Sequence, residues 1–164
     1  MLTFRALELS DVDFLYQIEN EETLWTHGCN TAPFSRFALE QYVLNSSASL
    51  YEDGQLRLVL LDESQAVGLV DIFSYDAKHQ RAEVGIALHA DFRGRGRGTA
   101  ALQLLLGYVR QHLHLHQLYA YVAAHNAPAL HAFLSAGFSR TATLRDWISL
   151  PGGFCDAVLL QYVF

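Results

Sequence analysis

The segment DFRGRGRGTAALQLLLGYV, residues 91–109, alternates arginine with glycine and then runs without pause into an apolar stretch. Glycine loses more conformational freedom on ordering than any other residue, so a cluster of it marks backbone that takes unusual dihedrals or approaches another group closely. A strand ending in IALHADF precedes Gly94, Gly96 and Gly98, and a helix begins near Thr99. That order places free backbone N–H groups at a helix N-terminus, which is an anion site, and phosphate is the group it fits. Arg93, Arg95 and Arg97 can add charge-assisted contacts. The spacing is neither GxxxxGK[ST] nor GxGxxG, because position 99 is Thr and position 101 is Ala, so nucleoside-triphosphate and dinucleotide readings weaken. A flexible basic loop or an RGG-like nucleic-acid contact is the alternative, but such segments sit in disordered surroundings and here an apolar helix follows at once.

The rest of the chain supports a folded enzyme-sized unit. With 164 residues, 51% hydrophobic and 17% charged, a single domain over 1–164 with a sizeable core is expected, and neither disorder nor a membrane protein. The net charge of −6 disfavours a nucleic-acid surface and is compatible with a cationic partner. MLTFRALELSDVDFL lacks the basic-then-apolar pattern of a secretory signal, and Cys29 and Cys155 are isolated, so a reducing cytoplasm is expected, with no disulfide framework and no metal site. His112, His114 and His116 invite a metal reading. No carboxylate or cysteine completes such a set nearby, and a solvated helix end accounts for them better.

Hydrophobic periodicity gives the element order β-α-α-β-β-β-α-β-α-β-β, a mixed α/β sheet. LTFRALEL opens as a strand, Ser10 is the expected cap of the first helix, residues 23–34 read as a loop, and SRFALEQYVLNSS as a second helix. Three strands in an antiparallel meander follow (QLRLVLLD, AVGLVDIFSY, RAEVGIALHA). Next come a helix through about His112, the strand QLYAYVA, the helix NAPALHAFLSAG and two closing strands joined at LPGG, residues 150–153. The last strand, DAVLLQYVF, could pack within the sheet or pair across a homo-oligomer.

These residues resemble the GNAT family of acetyl-coenzyme A-dependent acyltransferases. Arg93, Gly96 and Gly98 fill its [QR]-x-x-G-x-[GA] signature, and LYAYVAAHNAPALHAFLSAGF, residues 118–138, is similar to its later strand, Asn-bearing loop and helix. The resemblance implies a GNAT-like, mostly antiparallel sheet flanked by helices. It implies that the coenzyme pyrophosphate lies on Arg93, Arg95, Gly96, Arg97, Gly98 and Thr99, and the pantetheine arm along Ile86, Ala87 and Leu88. A backbone N–H at Leu88 would polarise the thioester. Asn126 and Phe133 would also touch the coenzyme. Phe133 stands where many relatives carry a tyrosine acid, leaving Tyr119, Tyr121 or His125 as substitutes, unless the tyrosines are strand packing and His125 a solvated loop residue. A non-catalytic coenzyme sensor is the corresponding alternative.

Transfer to an amine requires a base, and Glu83 is the candidate. Alternation puts it with Gly85 and Ala87 on one face, although it could instead pair with Arg81 or Arg57. Within the family the chain is similar to the branch of spermidine and diamine acetyltransferases and ribosomal-protein N-terminal acetyltransferases. The expected partner is therefore a small-molecule or peptide amine, such as a polyamine, with an antibiotic amine as another acceptor. Glu19, Glu22 and Asp71, together with Glu21, are available to form an acidic acceptor cleft.

Overall fold

The computed structural model describes residues 1–25 and 30–164. Its seven strands are β1 Leu2–Ala6, β2 Leu56–Asp62, β3 Gln65–Asp76, β4 Arg81–Leu88, β5 Gln117–Ala123, β6 Ser139–Leu150 and β7 Gly153–Val163. They form one sheet in the order β1-β2-β3-β4-β5-β7-β6. Every neighbouring pair is antiparallel except β4 and β5, which run parallel. A parallel pair needs a crossover, and helix α5, Arg97–Tyr108, supplies it, continued by a π-helical segment, Val109–Leu113.

Strand alternation sorts the side chains to two faces. Val70, Ile72, Val84, Leu118 and Leu160 pack with Leu102 and Leu105 of α5 and with Phe133 of helix α6, Ala127–Ser135. On the other face Val59 and Leu69 pack with Val12, Leu15 and Ile18 of helix α1, Val12–Glu19, and with Leu39 of helix α3, Arg36–Asn45. The sheet is thus covered on both sides, the GNAT-like arrangement expected from the sequence. No helix among the described residues is long and apolar enough to cross a membrane.

Several local expectations change. Two short helices join the order, α2 at Glu22–Trp25 and α4 at Leu50–Asp53. The first makes residues 23–25 of the expected 23–34 loop helical, while residues 26–29, with Gly28 and Cys29, lie outside the described residues. Ser10 caps no helix. It sits inside a 3-10 turn, Leu9–Asp11, whose entry is held by Asp11, buried, bonded to Arg5 at 2.7 Å and accepting from the Glu8 N–H at 2.8 Å. The Ser10 hydroxyl turns back to Glu8 Oε2 at 3.5 Å, and among the described residues no side chain accepts at the start of α1. Ser35 caps α3, accepting from Ala38 N–H at 3.0 Å. The closing strand β7 is paired on both sides, by β5 and β6, so it packs within the sheet and β6 is the edge.

Leu118, fully buried where β5 meets β4, is the most direct check of this packing. Leu118→Ala is expected to lower unfolding free energy by about 2–5 kcal/mol in urea titration.

Candidate active site

β4 and β5 pair over only three positions, Arg81↔Gln117, Ala82↔Leu118 and Glu83↔Tyr119. Beyond them, residues 84–88 stay paired to β3 and residues 120–123 to β7, so the two strands part. Each then presents an inner edge of main-chain N–H and C=O groups with no strand partner, a costly arrangement unless another group satisfies them. α5 departs from the end of β4 and α6 from the end of β5. Both helix N-termini therefore open beside one wedge, at the carboxyl ends of two parallel strands, where open α/β sheets bind ligands.

The glycine-arginine segment forms the mouth of that wedge. Gly94 and Gly96 have φ of +77° and +71°, in the left-handed region that side chains resist, and Gly96 is the N-cap of α5. No side chain caps this helix, so the N–H groups of Arg97, Gly98 and Thr99 remain available to an anion. Gly98 serves a different purpose: a Cβ there would lie 3.4 Å from the Ala132 Cβ, so glycine lets α5 and α6 come together.

The arginines divide their work. Arg93 donates through Nε to the Leu88 carbonyl at 2.9 Å and through Nη2 to Glu21 at 2.8 Å, tying the loop to β4 and to the α1–α2 connection. The Arg93 hydrogen bond holds Glu21 below the usual carboxylate range. Arg97 reaches Asp62 at 3.2 Å and lies 5.1 Å over the Phe92 ring, and its Nη1 is buried without a hydrogen-bond partner. Arg95 is exposed and makes no ion pair among the described residues. An uncapped helix start, an orphaned guanidinium nitrogen and a free arginine together fit an anionic group such as the coenzyme pyrophosphate. Asn126 is the N-cap of α6, its Oδ1 accepting from Ala129 N–H at 3.3 Å, which fixes the side chain at the helix start.

Glu83 lies at the last β4–β5 pair, opposite Phe73 of β3. Neither expected arginine neutralises it: Arg81 pairs with Asp76, and Arg57 with Glu19 and Asp71. Among the described residues its carboxylate makes no hydrogen bond or ion pair, and burial pushes its pKa up. That combination suits a base, because a carboxylate of raised pKa accepts a proton more readily at neutral pH. Next to it on the same face, Gly85 and Ala87 line a cavity of about 420 Å³ that also touches Phe73, Leu69 and Ile18. Ile86 lines it too, whereas Leu88 lies outside it.

Of the acid candidates, Tyr119 stands in register with Glu83. Burial, and then the Glu83 charge, raise its pKa, which keeps the phenol protonated and able to donate. Tyr121 stacks 5.7 Å from Trp147, and His125 is exposed. Phe133 is 3% exposed and packs edge-to-face on Phe138 at 5.0 Å, inside the core beneath α6. The three histidines near residue 114 are exposed, His112 lying 4.9 Å from the Tyr108 ring.

The proposed acidic cleft is only partly assembled. Glu19 and Asp71 line the cavity, Glu21 holds Arg93, and Glu22 is exposed on α2. Sequence reasoning missed Arg57, which takes Asp71 through Nε and Nη2, the latter at 3.0 Å, and Glu19 through Nη1. The available signal was a lone arginine in the otherwise apolar strand QLRLVLL.

The family model for the acetyltransferase (GNAT) domain matches residues 1–139. The chain belongs to the GNAT acetyltransferase family. Acetyl-coenzyme A is accordingly the cosubstrate of this acetyltransferase. Among its relatives, a spermidine N(1)-acetyltransferase of Vibrio cholerae is 26% identical over 156 residues, covering 94% of this chain and 88% of the relative. One of Escherichia coli K12 is 25% identical over 154 residues, covering 94% and 81%. In fold, the crystal structure of spermidine N-acetyltransferase from Vibrio cholerae in complex with CoA and spermine superposes with a TM-score of 0.89 at 24% identity, over 99% of this chain and 95% of that one.

Glu83 gives this GNAT site a testable electrostatic signature. A carboxyl whose folded pKa is raised binds protons more tightly in the folded state, so its ionisation costs stability as pH rises through the interval above the unfolded value. Glu83→Gln is therefore expected to raise the thermal midpoint at pH 7–8, with the gain shrinking toward zero as pH is lowered through the carboxylate range. A lower midpoint at neutral pH would mean that the carboxylate is stabilised in place.

Proposed function

We propose that this protein transfers the acetyl group of acetyl-coenzyme A to the primary amine of a small cationic acceptor. The observation that carries the reading is Glu83, unpaired among the described residues and with raised pKa, at the point where β4 leaves β5 and two residues before Gly85, which lines the cavity. The bound donor supplies an activated thioester. The chain contributes the N–H groups of Arg97, Gly98 and Thr99 and the Arg95 charge for its phosphates. The free β4 edge at Ile86, Ala87 and Leu88 holds its arm, and the Leu88 N–H is assigned to the thioester oxygen.

The acceptor arrives as an ammonium, which has no lone pair for attack. Glu83 takes the proton, directly or through one water, and the neutral amine forms the new C–N bond as the C–S bond breaks. The leaving thiolate is a weak base and takes a proton from Tyr119 or from solvent, and the acylated nitrogen gives up its second proton to restore that donor, so the thiol, the amide and the one proton on Glu83 are the products. A thiolate is less basic than the amine, so a strong acid at the leaving group is less needed than a base at the acceptor.

The names of the relatives support a polyamine such as spermidine as the first acceptor class to assay. A structure described as dodecameric exists for the Vibrio cholerae relative, which supports a homo-oligomer as part of this reading. A cytoplasmic location fits the same substrates.

Release of free thiol from acetyl-coenzyme A, followed with product masses against amines, diamines, spermidine and peptides, tests the proposal. Amine-dependent release with an acetylated product is expected. Glu83→Gln should lower kcat by about 10²–10³-fold while the dissociation constant for coenzyme A changes by less than about threefold. Coenzyme binding without thiol release from any amine would instead make the protein a coenzyme sensor.

A further inference from the structure

The wall of the acceptor cavity farthest from an ordinary acidic pocket is the cluster Glu19–Arg57–Asp71. Each of the four carboxylate oxygens already accepts a hydrogen bond: both of Asp71 from Arg57, and Glu19 from Arg57 with one oxygen and from the Asn30 side-chain amide at 3.1 Å with the other. Two carboxylates and one guanidinium leave a formal charge of −1 spread over a satisfied network. The side chains are 13%, 21% and 26% exposed for Glu19, Arg57 and Asp71, so the cluster borders the cavity and is shielded from bulk water. Burial opposes the charge on Arg57, but Asp71 and then Glu19 more than offset it, so the guanidinium is permanently charged.

Tyr42 backs this cluster, with the Arg57 guanidinium 5.4 Å from its ring centre. Tyr42, Gln55 and Arg57 line the acceptor cavity on one side and a second, polar cavity of about 370 Å³ on the other, where Asp53 stands. They form the partition between the two. Most of the remaining acceptor lining is apolar, from Ile18, Leu24, Leu69, Ile72 and Phe73.

We infer that Arg57 sets the acceptor class: by closing Glu19 and Asp71 into an ion-paired end wall, it makes the cavity prefer an amine with one ammonium and a short apolar arm over diamines and polyamines. The inference rests on the proposed amine acetylation and narrows it. One ammonium is served by Glu83. A second, several carbons along, would enter apolar surroundings and meet two carboxylates already held by Arg57, with half of their charge cancelled, so that little would offset its desolvation. This chain would then part from the spermidine-acetylating relatives through one strand residue.

Butylamine and 1,4-diaminobutane share a carbon chain and differ by the second ammonium, so their ratio isolates the effect. For the full-length protein, kcat/KM is expected to favour butylamine about tenfold, carried mainly by KM. Arg57→Met frees both carboxylates and opens the partition, and should bring the ratio to unity or reverse it. Arg57→Lys keeps the charge but loses the two-pronged grip on Asp71, and should fall between. Calorimetric titration of both amines into coenzyme A-loaded protein gives the same ratio as dissociation constants and does not need turnover, so a failure of acetyl transfer is separable from a failure of this inference. Should Arg57→Met not fold, the wild-type and Arg57→Lys ratios decide. A wild-type preference for butylamine below threefold, or a ratio that Arg57 substitution shifts by less than threefold, overturns the inference.

Discussion

Everything in this molecule that bears on function follows from the early end of one hydrogen-bonded ladder. After Glu83↔Tyr119 the parallel pair β4–β5 stops. A sheet that continued would have satisfied its own main chain and left no room for a ligand. The strands diverge because each is committed elsewhere, β4 to β3 through Leu88 and β5 to β7 through Ala123. The cost of unpaired backbone groups is the reservoir from which binding a coenzyme arm recovers free energy.

The two sides of the sheet then take different tasks. On the α5–α6 side the Gly96 cap and the first amides of α5 make a positive helix end, with Gly98 allowing close contact with α6. Alternation puts Glu83 on the same face of β4 as Gly85 and Ala87, and the latter two line the cavity. In the proposed reaction a donor in the wedge and an acceptor in the cavity would meet at Glu83, a carboxylate without a partner among the described residues at some expense of stability, as functional groups often are.

What could be read in the sequence was what neighbouring residues decide. The strand order along the chain and the face shared by Glu83 and Gly85 depend on local periodicity, and the structure places them accordingly, while two short helices are added and the helix expected near Thr99 begins at Arg97, with Gly98 inside it. Contacts between distant segments were not legible. Arg93 looked like a phosphate ligand, yet its partner Glu21 is 72 residues away and turns it into a clamp on the loop. Glu19 and Asp71 looked like free acids, and only the fold brings Arg57 between them. Phe133, expected beside the coenzyme, packs edge-to-face on Phe138 in the core, a contact that its local sequence does not announce. The glycines illustrate the same division. Their presence was plain, but φ values near +70° at Gly94 and Gly96 and a helix contact at Gly98 are tertiary reasons that composition does not distinguish.

The central claim, that the divergence of β4 from β5 is the coenzyme site, is tested most directly by amide hydrogen exchange with and without coenzyme A, resolved to short peptides. The account predicts that the coenzyme slows exchange in residues 84–88 and 96–100 and leaves the fully paired β2–β3 ladder unaffected. Protection that appears elsewhere, with residues 84–88 unchanged at saturating coenzyme, would contradict it.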